Sequence, residues 1–382
     1  MSKGANGMGV FDEGVFLGRA RLAGGGHPRI VTIRGGRLVD ITSKAAPTVR
    51  DICEMADPAG HVAAAPGQAL AEVAALVEGR AQGIELLSPV DLQAVKASGV
   101  TFLVSLLERV IEEQAKGDPG QADALRRDIL ELIGEDLSDL VPGSEAAMAV
   151  KARLIARGVW SHYLEVGIGP DAEIFTKCQP MASVGHRAMI GLHPVSTWNN
   201  PEPEVAVVVS STGRILGATL GNDVNLRDVE GRSALLLGKA KDNNASAALG
   251  PFIRLFDGSF GLEDVKAMEI GLEVRGRDGF VLTGASSMSR ISRSPESLVA
   301  ATIGAHHQYP DGLVLYLGTM FAPVQDRDGQ GQGFTHKTGD VVTISTPMLG
   351  ALENTVGLST ACPPWTYGTR ALMADLAGAG LL

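Results

Sequence analysis

From Trp160 onward the chain falls into short apolar runs cut by glycine and proline turns, and this punctuation limits what it can fold into. The runs VAVVVSS (205–211), ILGATLG (215–221), AMEIGLEVRG (267–276), DGLVLYLGT (311–319) and GDVVTIST (339–346) are of strand length. They predict a mixed or antiparallel β architecture with attached helices, and not a doubly wound βαβ sheet. The 48 glycines set against only 4% aromatic residues fit many tight turns and strand corners. Neither GxGxxG nor GxxxxGK[ST] occurs, so nothing supports a nucleotide-binding reading.

The first eighty residues read as a small β-rich module. IVTIRGGRLVDI (30–41) alternates apolar and polar residues around Gly35-Gly36, a two-residue hairpin turn. Pro47-Thr48 opens a short helix, and the Ala/Gly/Pro stretch from Asp57 to Gln68 reads as a linker. Beyond Leu87–Val90 an amphipathic helix is expected from Gly99 (VTFLVSLLERVIEEQAKG). A second is expected over 121–137, and a third after Ser144, whose hydroxyl suits a helix start. The expected fold class is α+β, mainly β, with residues 1–80 as a small N-terminal β-rich domain and 81–382 as a second, larger one.

A net charge of −10 with no basic patch argues against nucleic acid and anionic membrane surfaces as partners. No stretch approaches the ~20 apolar residues of a membrane-spanning helix, and MSKGANGMGVFDEG lacks a signal-peptide core. The three cysteines, Cys53, Cys178 and Cys362, form no CxxC pair, which fits a reducing cytoplasm.

The chemistry concentrates in WNNPEPEVAVVV (198–209) and LGNDVNLRD (220–228). Glu202 and Glu204 stand two apart at the entrance of a strand, so both carboxylates project to one side. Asp223 closes a second strand that can run beside the first. Three hard oxygen donors without histidine or cysteine suit Mg²⁺, Mn²⁺ or Ca²⁺, not zinc. By itself, an ExE on a strand edge is more commonly a solvated face.

Taken together, the ExE strand, GNDVNLRD, the lysine of LLGKAKDNN and LGPF resemble the fumarylacetoacetate hydrolase superfamily. The segments YLEVGIGPDAEIFTK, STWNNPEPEV, HQYPDGLVLYLGTMFAP and GFTHKTGD extend the likeness over nearly the whole chain, most weakly before residue 80. Within that superfamily they are similar to the branch that dehydrates 2-keto-3-deoxy sugar acids. The resemblance implies a mixed β-sandwich roll, Glu202, Glu204 and Asp223 as metal ligands, and Lys241 as the active-site lysine with Lys239 as its neighbour. Lys177 and Ser183 look like the superfamily's Lys-Pro-Ser strand, although Cys178-Gln179 intervenes. Thr319, in the Gly-Thr that ends a cleft strand, is expected at the substrate carboxylate.

The departures bear on the reaction. Many carbon–carbon hydrolases of the superfamily carry a histidine–glutamate pair where this chain has Ser105 and Glu108, so the water-activating histidine is missing while the glutamate is kept. Glu108 then suits proton transfer, with Ser105 and Arg109 beside it as substrate contacts and Glu112 as a helix-surface acid. His306-His307, with no third nitrogen ligand, read as polar structure, and Met288, Met320 and Met348 as core fillers. The expected activity is Mg²⁺-dependent dehydration of 2-keto-3-deoxy-D-pentonate to 2-oxoglutarate semialdehyde, with Lys241 and Glu108 sharing the acid and base roles in either order. A 2-keto acid is the small-molecule partner, and a homo-oligomer, dimer or tetramer, is expected. The alternatives are hydrolysis of an acylpyruvate or 2,4-diketo acid on the same scaffold, and a non-catalytic metal-binding module.

Overall fold

The computed structural model describes residues 9–102, 106, 140–158, 161–320, 323, 325–329 and 333–382. Most of the helix expected after Gly99, and all of the one expected over 121–137, fall outside these residues. In chain order the strands are β1 (Phe16–Leu22), β2 (Arg29–Arg34), β3 (Arg37–Asp40), β4 (Gln68–Glu72), β5 (Ile84–Leu87), β6 (Ala94–Gly99), β7 (Glu173–Cys178) and β8 (Met189–Leu192). They continue as β9 (Pro203–Val209), β10 (Ile215–Asp223), β11 (Ala247–Leu255), β12 (Glu269–Arg275), β13 (Val281–Ser287), β14 (Leu313–Tyr316), β15 (Val341–Thr346) and β16 (Gly350–Leu358). The larger sheet runs β4-β3-β2-β1-β11-β10-β9-β14-β6-β7 with β5 added to β1, and the smaller runs β13-β12-β15-β16-β8. β6 and β14 are parallel within an otherwise antiparallel neighbourhood. The architecture is the α+β, mainly β one that the turn punctuation predicts.

β9 lies at the centre because its sequence can be buried on both faces. All seven residues of PEVAVVV are buried, and β-branched side chains pack well on a pleated surface. Val205, Val207 and Val209 enter the core between the two sheets, with Leu220, Ile344 and Leu352. Ala206 and Val208 enter the core on the opposite face, with Ile52, Val62, Val95 and Tyr316. Each buried valine contributes on the order of 1.5–3 kcal/mol, so the strand that carries the site's glutamates is firmly anchored.

The larger sheet curls. Val184, just past β7, pairs in parallel with Ala248 of β11, joining the end of the strand path to its middle. Lys177 of β7 lies 2.7 Å from Asp223 of β10, four strands away in the hydrogen-bonding order. Flat strands would set those backbones roughly 19 Å apart. The rolled sheet therefore brings β7 over the end of β10.

Gly35 and Gly36 both take positive φ between the paired residues Arg34 and Arg37, giving the expected hairpin. Thr48 caps the helix Val49–Cys53 through a reciprocal bond with Asp51. The stretch expected as a linker instead contains a helix, Pro58–Ala64, started by the Asp57 side chain accepting from Gly60 N, with proline in the first turn. Ala59 and Val62 bury its inner face. Ser144 accepts from Ala147 N and starts the helix Glu145–Ala156 where it was expected. The boundary at residue 80 is spanned by β5 pairing with β1, and β1 pairs in turn with β11. Phe11 packs edge-on against Phe16 and Phe252, with ring centroids 5.2 and 5.6 Å away. Among the described residues no helix is long and apolar enough to cross a membrane.

Candidate metal centre

The functional side chains gather at one end of the rolled sheet because neighbouring strands start and stop there together. Glu204 pairs with Gly221 across the antiparallel β9–β10 ladder, and Asp223 N donates to Glu202 O at 3.0 Å. The period of two along each strand then points Glu202, Glu204 and Asp223 to the same side. One carboxylate oxygen from each lies within 4.8 Å of the others, and the residues are only 3%, 1% and 1% exposed. Gly318, just past β14, donates its N–H to Glu204 Oε2 at 2.7 Å. It does so with φ +99, and a side chain there would collide with Thr101. Thr101 is fixed in turn by donating to Leu317 O at 2.7 Å.

Two lysines face the carboxylates. Lys241 ends the short helix Leu237–Lys241, and its Nζ pairs with Glu202 and with Asp223 Oδ2, the latter at 3.1 Å. Lys239 is exposed, whereas Lys241 is buried against the carboxylates. Lys177, wholly buried, pairs with Asp223 Oδ1 at 2.7 Å and donates to Val224 O at 3.2 Å and to the Lys241 carbonyl. A β-bulge directs it inward: Val95 pairs with Cys178 but Lys96 pairs with Thr176, leaving Lys177 as the extra residue. Asn225 Nδ2 bridges two acids, donating to Glu202 Oε1 at 3.1 Å and to Glu230 Oε2 at 2.6 Å.

Three carboxylates buried against two ammonium groups leave negative charge in excess. Burial pushes the Glu204 carboxyl well above its usual range, and repulsion from Asp223 and Glu202 adds to it; Lys241 and the Gly318 N–H offset this only in part. At Asp223 burial pushes the same way, but Lys177 and Lys241 prevail and hold it below the usual range. For Lys241 burial opposes the charge, while Asp223, Glu202 and Glu230 outweigh burial and keep it an ammonium. A divalent cation fits this site: the donors are hard oxygens, they converge, and a further positive charge relieves the repulsion at Glu204.

Thr319 lines the same cleft as Glu202, Asp223 and Lys241. Ser183 does not join them. It is buried, donates to Ser88 Oγ at 2.7 Å, and lines a separate cavity of about 410 Å³ with Arg19, Arg21 and Trp365. Glu108, Ser105, Arg109 and Glu112 lie outside the described residues. His306 and His307 are exposed, and His307 stacks on Tyr309. Met288 and Met320 are buried core residues, with Met348 packed against the same core. The cleft also contains Glu173, Phe175 and Glu230, which sequence reasoning passed over. Glu230 stands at the end of the helix Arg227–Glu230, just beyond the GNDVN segment, so its proximity to Asp223 was a usable signal. Nothing local marked Glu173.

Fold and site together define a metal-ready roll of the fumarylacetoacetate hydrolase type. Residues 165–357, half of the chain, match the family model described as fumarylacetoacetate (FAA) hydrolase C-terminal, and the chain belongs to that family. It is 27% identical over 339 residues to a probable 2-keto-3-deoxyxylonate dehydratase of Haloferax volcanii, covering 88% of this chain and 98% of that protein. It is 32% identical over 180 residues to a 2-dehydro-3-deoxy-D-arabinonate dehydratase of Saccharolobus solfataricus, covering 47% and 57% of the two chains. Among solved structures, a 2-keto-3-deoxy-D-arabinonate dehydratase complexed with magnesium and 2,5-dioxopentanoate superimposes with a TM-score of 0.62 at 22% identity. It covers 90% of this chain and 99% of that one, a likeness of fold.

Proposed function

We propose that this chain is a hydro-lyase that converts 2-keto-3-deoxy-D-pentonate to 2,5-dioxopentanoate (2-oxoglutarate semialdehyde), with Mg²⁺ as its cofactor and Mn²⁺ or Ca²⁺ as alternatives. The observation that carries the proposal is the buried Glu202, Glu204 and Asp223 set facing Lys241 in one cleft. The dehydratases among its relatives support the substrate class.

Loss of a C3 proton and the C4 hydroxyl makes water and a C3=C4 double bond. A proton then leaves C5 and one returns at C3, giving the C4=C5 enol, whose ketonisation makes C5 an aldehyde. Glu202, Glu204 and Asp223 would hold the cation, which supplies Lewis acidity toward a 2-keto acid. Lys241, an ammonium between Glu202 and Asp223, would stabilise negative charge that develops at the C2 oxygen, a kind of stabilisation worth several kcal/mol of barrier. Thr319 offers a hydroxyl to the substrate carboxylate. Taking the C3 proton and returning it to the departing hydroxyl is assigned to Glu108, on the strength of its place in the sequence beside Ser105.

Racemic 2-keto-3-deoxypentonate with Mg²⁺ should yield the semialdehyde, followed by coupling to an NAD-dependent dehydrogenase, with half the racemate consumed if one C4 configuration is accepted. Cleavage of an acylpyruvate by protein that leaves 2-keto-3-deoxypentonate untouched would replace this reading with the hydrolase.

The chain is also expected to be a cytoplasmic homo-oligomer, dimer or tetramer. Its three cysteines are free and buried, and Trp365, Met373 and Leu382 near the C-terminus expose 46%, 52% and 58% of their surface. Light scattering at micromolar concentration should give a multiple of the chain mass; a single-chain particle contradicts the expectation.

A further inference from the structure

The cavity beside Ser183 shares no lining residue with the metal cleft. One wall is a face of β1 and β5. Arg19 and Arg21 alternate along β1, and their partners across the ladder, Leu87 and Glu85, project to the same side. Residues 363–367 supply another wall, bringing in Trp365 and Tyr367. The Arg21 guanidinium stands 5.4 Å from the centre of the Tyr367 ring. At about 410 Å³, the cavity falls in the range that encloses small ligands, roughly 300–1,000 Å³.

Buried polar groups give this cavity its chemistry. Arg19 is 4% exposed, and a guanidinium keeps its charge in a protein. Its Nη1 donates to Ser88 O at 3.3 Å and Val90 O at 2.7 Å, whereas its Nε has no hydrogen-bond partner among the described residues. Asp91, 3.8 Å from that Nε, is already engaged by the N–H groups of Val49, Arg50 and Leu92, at 2.7, 3.1 and 2.8 Å. Ser183 donates to Ser88 Oγ at 2.7 Å, which leaves the Ser88 hydroxyl hydrogen for another acceptor. The lining carries two guanidinium groups against the single carboxylate of Glu85, a surplus of one positive charge. Met181 and Ala245 line it with φ +66 and +60. Such left-handed backbone is uncommon outside glycine and gathers at ligand clamps.

We propose that this cavity is a second ligand site, for a monocarboxylic acid with a flat apolar body. The carboxylate takes the Arg19 guanidinium and the Ser88 hydroxyl, and the body lies among Met181, Met189, Trp365 and Tyr367. One surplus positive charge matches a carboxylate, and a phosphate dianion exceeds it. The two thioethers and two rings offer polarizable apolar surface to a planar group. Occupancy of the site does not depend on which reaction the metal centre performs.

The probes are 2-naphthoate, the neutral 2-naphthalenemethanol and the dianionic 2-naphthyl phosphate, titrated by calorimetry into Mg²⁺-loaded protein. Wild type should bind one naphthoate per chain, ~10- to 100-fold tighter than the alcohol, as for a hydrogen bond to a charged group, and at least as tightly as the phosphate. Trp365→Ala, at an exposed side chain, and Ser88→Ala should each weaken naphthoate by ~3- to 10-fold. Arg19→Met should erase the preference for the acid over the alcohol. Glu204→Gln, at the metal centre, should bind naphthoate as wild type does. If Arg19→Met does not fold, Trp365→Ala and Ser88→Ala decide. Loss of naphthoate in Glu204→Gln, with full binding in Trp365→Ala and Ser88→Ala, would put the acid on the metal and overturn the proposal. So would a wild type that ignores naphthoate at millimolar concentration, holds the alcohol equally well or prefers the phosphate.

Discussion

Glu204→Gln is expected to remove Mg²⁺ binding and turnover while making the metal-free protein more stable. The glutamine keeps an acceptor for the Gly318 N–H that now bonds Oε2 at 2.7 Å, so the local backbone need not move. What disappears is a charge that burial and two neighbouring carboxylates already disfavour. Metal affinity should fall at least ~10²-fold, since even residues that only orient ligands cost 10- to 100-fold. Turnover should fall ~10³-fold or more, the loss of a Lewis acid being worth several kcal/mol. Asp223→Asn should match it in metal binding and activity but differ in sign for stability, because Asp223 is the shared partner of Lys177 and Lys241. Its loss leaves two buried ammonium groups short of a counter-charge. Calorimetric Mg²⁺ titration together with thermal melts of the metal-free variants reads both effects. Unchanged Mg²⁺ affinity in Glu204→Gln would remove it from the ligand set, and equal destabilisation by the two substitutions would contradict the charge balance.

That asymmetry shows what the sequence could and could not express. Glu202, Glu204 and Asp223 were legible because strand period and adjacent strands suffice to bring them together, and β9 and β10 are joined by a short turn. Lys241 was legible by resemblance, and burial separates it from exposed Lys239. Lys177 was ambiguous for a physical reason. A strand with strict alternation cannot bury both Lys177 and Cys178, and the bulge opposite Val95 and Lys96 lets it do so. Cys178-Gln179, read as an insertion, follows directly on that bulge. Ser183 lies beyond it, where the chain turns to bridge β11, and it ends up beside Ser88.

Glu173 was invisible because its neighbour in space, Gly99, is set by β6–β7 register across more than seventy residues. The helix Pro58–Ala64 was legible after all: Asp57-Pro58 is a helix start, and the small residues after it only resembled a linker in composition. The curl of the larger sheet is a property of the whole strand order, and no local pattern announces it.

Lys177→Met tests whether that bulge serves the site. Methionine matches the lysine stem in length and would fill its buried volume, so packing loss is small and the change is chiefly electrostatic. Removing Nζ strips Asp223 Oδ1 of an ion pair at 2.7 Å and takes a donor from Val224 O and from the Lys241 carbonyl. Breaking one side of a buried pair costs about 3–5 kcal/mol, enough to lower Tm markedly in the metal-free protein. Asp223 would keep Lys241, which Glu202 also engages, so its carboxylate would lose half of its counter-charge. Mg²⁺ affinity should rise, by on the order of 10-fold, because the Lys177 ammonium beside Asp223 Oδ1 repels a cation brought to the same carboxylate. Because Mg²⁺ supplies the missing positive charge beside Asp223, saturating metal should restore more stability to Lys177→Met than it adds to wild type. Thermal melts of both proteins across a Mg²⁺ series measure this directly. A variant as stable as wild type without metal, or one that gains no more than wild type from saturating Mg²⁺, would mean that Lys177 is a buried packing residue and that Lys241 alone balances the carboxylates.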